Sequence, residues 1–522
     1  MSELLIPTAL VAVVVAVSAV AKRVGVLAPI LLVTVGIGIS FVPGVPAVEL
    51  HPELVIAGVL PPLLYVAAIE TSVPAFRYNL RPILLLAVGL VLFTAAAVGF
   101  TLHAVVPAIP LPAAFALGAI VAPPDAVAAT AVARRVGLPR RAVTVLEGES
   151  LVNDATALVT LRLAVAAAVG QAVSVADFAG GLALAAIGGV AVGGAAAWLL
   201  AQLHRRITDP LLDNSLSLLT PFIAFGAAEA IHASGVVAVV VTGLYLGHRW
   251  PILMSAASRL QMAAFWAMVR FLLEGAVFLL VGLQLRQIVV GLRMPLGTVA
   301  AATVAVVVVV IAARFVWLYP TTYLARLVPR VRDRAPAPPL RIPAAISWAG
   351  MRGVVTLAAA FSLPLQTGGG QPFPGRDLFL WLAFAVIAVT LLVQGTTLPA
   401  VIRALRIPGD DRTQDLLAEA TVQHEASQAA LTRLDSEAAG APEDVVRRLR
   451  SHAENRANLA WERLGSQDRE TPANVYRRLR RSMLEAEREV FREARDAARI
   501  PEETLHRAQR DMDLEESILT RE

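Results

Sequence analysis

The chain contains no cysteine in 522 residues, which removes disulfides, thiolate metal sites and thiol nucleophiles together. It is also short of charge: Asp, Glu, Lys and Arg make up 16%, where soluble globular chains carry about 25%. Neither a G-x-S-x-G elbow nor an H-E-x-x-H pair occurs, so the serine-hydrolase and zinc-protease patterns have no footing and no enzyme is expected. What is present instead is apolar. Hydrophobic residues reach 57%, in long Val/Ala/Leu runs that read as membrane helices. The net charge of +5 does not point to nucleic acid, because basic residues before position 409 gather in short stretches between those runs, a topological pattern. The lipid bilayer is the expected partner, and no cofactor is implied.

Taking roughly 17 to 25 apolar residues per crossing, we read thirteen spans, at 4–21, 24–42, 53–72, 81–106, 111–132, 142–169, 178–203, 215–232, 233–248, 264–285, 296–325, 342–364 and 376–402. The first lacks a basic leader and a small-residue cleavage site, so it reads as a span and not a cleaved signal. Lys and Arg concentrate in alternate loops, among them Lys22 and Arg23, Arg134 with Arg135, Arg140 and Arg141, Arg205 and Arg206, and Arg326 to Arg341. Cytoplasmic loops are enriched in such residues. The N-terminus is therefore expected outside the plasma membrane and the C-terminus in the cytoplasm. The expected division is a membrane domain, 1–406, and a charged tail, 407–522, whose segments show the helical spacing of a soluble hairpin or bundle. A proline-rich loop, "RAPAPPLR" at 334–341, precedes the twelfth span.

Ionisable residues inside a bilayer are costly and usually face a protein interior or a wet cavity. "AIVAPPDAVAA" places Pro123, Pro124 and Asp125 in the middle of the fifth span, where two missing backbone donors predict a broken helix. In the sixth, "VLEGESLVNDATALV" carries Glu147, Glu149 and Asp154. Ser150 and Asp154 are four residues apart and share one helical face, with Asn153 alongside to fix the arrangement by hydrogen bonds. Arg314 stands alone in the eleventh span, where it needs a carboxylate partner or must snorkel to the interface, and its distance from both ends of the span favours pairing. Gly350 and Gly353 flank Arg352 in the twelfth, a second expected break. Spans four to six and eleven to thirteen thus form two triplets of opposite starting side, each with an interrupted middle helix, as an inverted repeat requires. Arg270 with Glu274, and Glu229 with His232, sit at helical spacings that suggest local pairing or packing between helices, with direct ion handling as the alternative that makes Glu274, Glu229 and His232, together with Glu70, secondary site candidates; Arg162 is expected to pair or to reach the interface.

"APPDAVAA", "GESLVNDA", "AEAIHASG", "AARF" and "GMRGVV", in that order, resemble the monovalent cation/proton antiporter-1 family, which includes sodium/proton exchangers. The resemblance spans most of residues 50–406. It implies an all-α polytopic membrane protein with two broken, crossing helices, forming a homodimer in which a six-helix core moves against a dimerisation domain. Residue by residue, it gives Asp154 as the shared cation and proton site, Asn153 as its neighbour, Asp125 as the aspartate at the broken helix, Ser150 as a nearby ligand, and Glu149 with Arg314 as an ion pair. Pro124 stands where relatives carry a hydroxyl residue before the aspartate, leaving its carbonyl as the oxygen on offer. Some relatives have an acid near Val66; here Glu70 lies one turn on.

The function implied is exchange of Na+ for H+, in the service of pH homeostasis, with K+/H+ exchange and, further off, a cation channel as alternatives. An aspartate withheld from water resists standing as a bare charge, so it holds either a proton or an alkali cation, and that competition couples the two flows. Asn153 cannot titrate, which predicts one cation per proton and no net charge movement.

Overall fold

The computed structural model describes residues 2–44, 51–327, 329, 338–367, 370–465 and 472–521. The chain divides into two compact units, Met1–Gly409 and Asp410–Glu522. In the first, the main helices are α1 (Ser2–Val24), α2 (Ala28–Ser40), α3 (Leu54–Glu70), α4 (Leu80–Val105), α5 (Leu111–Val121), α6 (Ala126–Val136), α7 (Arg140–Ala168), α8 (Val175–His204), α9 (Pro210–Glu229) and α10 (Gly235–Leu253). They continue as α11 (Ala256–Gly291), α12 (Leu296–Tyr323), α13 (Arg341–Trp348), α14 (Val354–Phe361) and α15 (Arg376–Leu405). The described residues contain no strand.

Among the described residues, nine helices are long and apolar enough to cross a membrane. The other expected spans are helical but shorter or divided, each for a local reason. The run 24–42 gives the short helix α2. The run 53–72 opens as a π-helical turn, Leu54–Val59, before Pro61 and Pro62 enter the α-helical part. The runs 111–132 and 342–364 split into α5/α6 and α13/α14. Residues 334–337 of the proline-rich loop, with Arg330 and Arg332, lie outside the described residues.

The helices that enclose the centre differ in composition of their faces from those at the periphery. Side chains of α15 are mostly buried, whereas α1 and α8 expose most of theirs, including Val15, Ile187 and Leu199. Apolar residues facing outward suit hydrocarbon, and association between such helices depends on close packing of small residues. Gly282 of α11 lies against α2 so tightly that a Cβ there would run into the carbonyl of Val33, and Gly118 of α5 stands likewise against Ala95 of α4. The two triplets expected from sequence are present as α4, α5/α6, α7 and α12, α13/α14, α15, each with its middle member interrupted.

The second unit is built of α16 (Arg412–Glu437), α17 (Glu443–Gly465), α18 (Pro472–Asp496) and α19 (Glu502–Arg521). They pack as two antiparallel pairs, α16 with α17 and α18 with α19. Arg480 grips Glu515 through two nitrogens at 2.6 and 2.7 Å and also reaches Glu487 at 2.7 Å. The hydrogen bonds from Arg480 hold the Glu515 carboxyl below its ordinary range. A carboxylate so shifted stabilises the pair above the usual glutamate range and stops doing so as pH falls through its lowered value. Arg480→Gln is accordingly expected to speed amide hydrogen exchange across 476–519 at neutral pH, by an amount that shrinks in high salt and vanishes in acid.

Candidate functional site

Two helix breaks meet at the centre of the first unit. Pro123 and Pro124 remove two backbone donors, so α5 stops at Val121 and α6 begins at Ala126. Helix α13 stops at Trp348, and Gly353, in an extended conformation, starts α14. The breaks are tied directly: the backbone N–H of Asp125 donates to the Met351 carbonyl at 2.8 Å. Arg352, 1% exposed, donates through Nε to the Val121 carbonyl at 3.0 Å, through Nη2 to the Ala122 carbonyl at 3.2 Å, and through Nη1 to the Gly350 carbonyl. Its backbone N–H donates to Thr390 Oγ1 at 3.0 Å. A helix end leaves carbonyls without partners and carries a partial negative charge. One buried guanidinium thus caps the ends of two half-helices.

The glycines flanking Arg352 are required by close approach. A Cβ on Gly353 would occupy the space of the Asp125 carboxylate, and one on Gly350 would collide with the Arg314 side chain. Thr390 lies in a π-helical turn of α15, Thr390–Gln394. Such turns carry an extra residue per turn and often mark functional places. Sequence reasoning did not single out Thr390, since a lone threonine in an apolar run is an ordinary helix residue.

Helix α7 divides its polar residues between two faces. Glu149 and Asn153, four apart, point into protein. Glu149 accepts two hydrogen bonds from Arg314, at 2.6 and 2.8 Å, with each side chain 1% exposed. Arg314 Nε also donates to the Ile346 carbonyl at 3.4 Å, so α7, α12 and α13 are joined. Asn153 Nδ2 donates to the Pro124 carbonyl at 2.7 Å. The oxygen that the sequence reading offered to a cation is therefore engaged by Asn153 through one of its two lone pairs. Ser150 and Asp154, also four apart, face the other way. Together with Asp125 they line a cavity of 350 Å³, whose remaining wall comes largely from α3, α11 and α14.

The secondary candidates and the other charged residues singled out in the sequence are distributed less closely. Glu147 lines the cavity but pairs with Arg134 at 2.5 Å, and Glu70 lines it paired with Arg270 at 2.5 Å. Arg270 therefore does not pair with Glu274, as its spacing suggested; the longer reach to α3 wins because Glu70 ends that helix directly across from it. Glu229 likewise accepts from Arg162 at 2.9 Å and from the Gly235 backbone at 3.3 Å, instead of from His232. His232 occupies a left-handed turn after α9, φ 58°, which turns it outward. Neither Glu229 nor His232 lines the cavity. Glu274 does. Among the described residues no cluster of three or more His, Cys, Asp or Glu side chains is placed to hold a metal ion tightly.

Residues 9–404 match the family described as sodium/hydrogen exchanger, transmembrane. An uncharacterized Na+/H+ exchanger of Mycobacterium tuberculosis is 38% identical over 522 residues, covering 98% of this chain and 95% of that one. A sodium, potassium, lithium and rubidium/H+ antiporter of Bacillus subtilis is 36% identical over 390 residues, 71% of this chain and 57% of that one. A Na+/H+ antiporter of Aphanothece halophytica is 32% identical, covering 78% and 75%. Among solved structures, a sodium proton antiporter of Methanocaldococcus jannaschii superposes with a TM-score of 0.60 at 18% identity, covering 78% of this chain and 99% of that one. That last likeness is one of fold.

The buried pair makes a direct prediction about folding. Glu149→Gln leaves Arg314 enclosed without its counter-charge, a loss of about 3–5 kcal/mol, and Arg314→Met strands Glu149 in the same way. Each single variant is expected to melt well below wild type in detergent, and the double variant Glu149→Gln/Arg314→Met to recover most of the difference.

Proposed function

The chain belongs to the sodium/hydrogen exchanger family, and on that premise we propose that it exchanges one Na+ for one H+ across the plasma membrane, with Asp154 as the site both ions share. It is a multi-pass membrane transporter and not an enzyme. The observation that carries the assignment is the placement of Asp154 beside Asp125 and Ser150 on the wall of a cavity at the meeting point of two helix breaks. Asp154 is 8% exposed. A carboxylate so enclosed is stabilised by a proton or by a cation and poorly by neither. Asp125, Ser150 and backbone oxygens at the break complete a set of hard ligands of the kind alkali cations accept.

The cavity favours a carrier over a channel. Its walls come from two groups of helices, the broken pairs with α7 on one hand and α3 with α11 on the other. Movement of the first group against the second would present the same aspartate to either side in turn, which is alternating access. We place the N-terminus outside and the tail in the cytoplasm from the alternation of basic loops, and the active unit as a homodimer from the family resemblance. The engagement of Asn153 with Pro124 supports an electroneutral cycle, since an amide so placed fixes the break and brings no second proton. The breadth of cations in the name of the Bacillus relative favours K+ and Li+ as further substrates.

The assignment is tested in proteoliposomes by following internal pH on addition of Na+. Asp154→Asn is expected to abolish Na+-driven proton movement while remaining folded; exchange at the wild-type rate would overturn the proposal. An imposed membrane potential is expected to leave the wild-type rate unchanged, and a strong acceleration would refute the one-for-one stoichiometry. Gly353→Ala, which drives a methyl group into the space of Asp125, should cut the exchange rate at least about tenfold if the position of that carboxylate matters.

A further inference from the structure

The rim of the cavity carries two ion pairs. Arg134 and Glu147 join α6 to α7, and Arg270 and Glu70 join α11 to α3. Arg134, Arg270 and Glu70 are between about a third and two thirds exposed, and charged side chains of a membrane protein collect where water reaches them. Glu274 lies one turn along α11 from Arg270, half-buried, lining the same cavity as Asp125, Ser150 and Asp154. An arginine and a glutamate four residues apart on a helix ordinarily take each other. Here Arg270 is turned across to Glu70 instead. Among the described residues no side chain forms a hydrogen bond or ion pair with Glu274.

A carboxylate half-withdrawn from water is left short of positive charge when the cation close to it, Arg270, acts on it only through space and spends its hydrogen bond on Glu70. The charged groups that share its cavity are Arg134, Arg270, Glu70, Glu147, Asp125 and Asp154. Both arginines are hydrogen-bonded to other acids, so the part of the compensating charge that Arg270 does not supply through space is left to the aqueous contents of the cavity. We propose that Glu274 is a further cation-binding carboxylate of the exchange path, capturing a monovalent cation before it passes to Asp154, and that the Glu70–Arg270 pair keeps it unoccupied by arginine. This rests on the reading of Asp154 as the exchange site. The Glu70–Arg270 pair then acts on affinity without touching the cation.

The experiment is Na+-driven proton exchange by the full chain in proteoliposomes across a series of Na+ concentrations. Glu274→Gln is expected to raise the apparent KM for Na+ by about tenfold, the scale of one lost charge at short range in a wet site, and Glu274→Asp to restore it. Glu70→Gln releases Arg270 to its neighbour one turn away and is expected to raise KM to the same extent; Glu70→Gln/Arg270→Gln removes the competitor and should bring KM back. A KM for Glu274→Gln within about twofold of wild type would overturn the proposal, as would a double variant no better than Glu70→Gln alone. Should Glu274→Gln lose exchange entirely, the rise in melting temperature that Na+ confers in detergent reads binding alone. A smaller rise than in wild type supports the proposal, and an equal one overturns it. Unaltered KM in Glu274→Gln beside an inactive Asp154→Asn rejects this inference only, whereas wild-type exchange in Asp154→Asn rejects the reading beneath it.

Discussion

Everything at the centre of this protein depends on satisfying the backbone groups of two helices that stop within the helical bundle. Unpaired carbonyls in an apolar interior cost several kcal/mol each, and two chain breaks supply a cluster of them. Arg352 meets three, from Val121, Ala122 and Gly350, and Asn153 meets a fourth, at Pro124. The interruptions persist because side chains from elsewhere stand in for the missing helical partners. What they hold in place is irregular backbone buried within the protein, the setting in which non-helical chain is tolerated in a membrane transporter.

The same economy of position governs α7. One helix both braces the bundle and lines the cavity because its polar residues fall on two faces, Glu149 and Asn153 directed into the packed protein and Ser150 and Asp154 into the cavity. Glu149 is paired through both oxygens, whereas Asn153 is held through Nδ2 and its buried Oδ1 meets no protein donor. Burying a charge is tolerable only with a partner and good geometry, and the two-nitrogen grip of Arg314 on Glu149 meets that condition. Rigid support behind the helix holds Asp154 in place on the wall of the cavity. Specificity for a small cation requires ligands held in place by such a supporting shell.

At two places in the first unit a distant partner displaced the sequence neighbour. Arg270 chose Glu70, 200 positions away, over Glu274 on its own helix face, and Glu229 chose Arg162 over His232. Isolated helical pairs are worth only a few tenths of a kcal/mol. Any geometry that brings a second acid closer is enough to redirect an arginine, so local spacing is weak grounds for assigning partners within a bundle. Breaks, by contrast, were legible from residue type. Proline lacks a donor wherever the helix is placed, and Gly350 and Gly353 leave room that other residues would fill.

By itself, then, the sequence determined that the chain is helical and largely membrane-embedded, where its two interrupted segments lie, and which carboxyl groups stand in apolar runs. These follow from hydropathy, donor count and charge, which belong to residues singly or to short windows. Only the tertiary structure decided that the breaks face each other, that a π turn offers Thr390 to the Arg352 backbone, that Pro124 is held by Asn153, and that Glu274 shares a cavity with Asp125 and Asp154. Those are relations between segments tens to hundreds of residues apart, and they are set by how helices pack through small residues and competing ion pairs, quantities that no window of sequence contains.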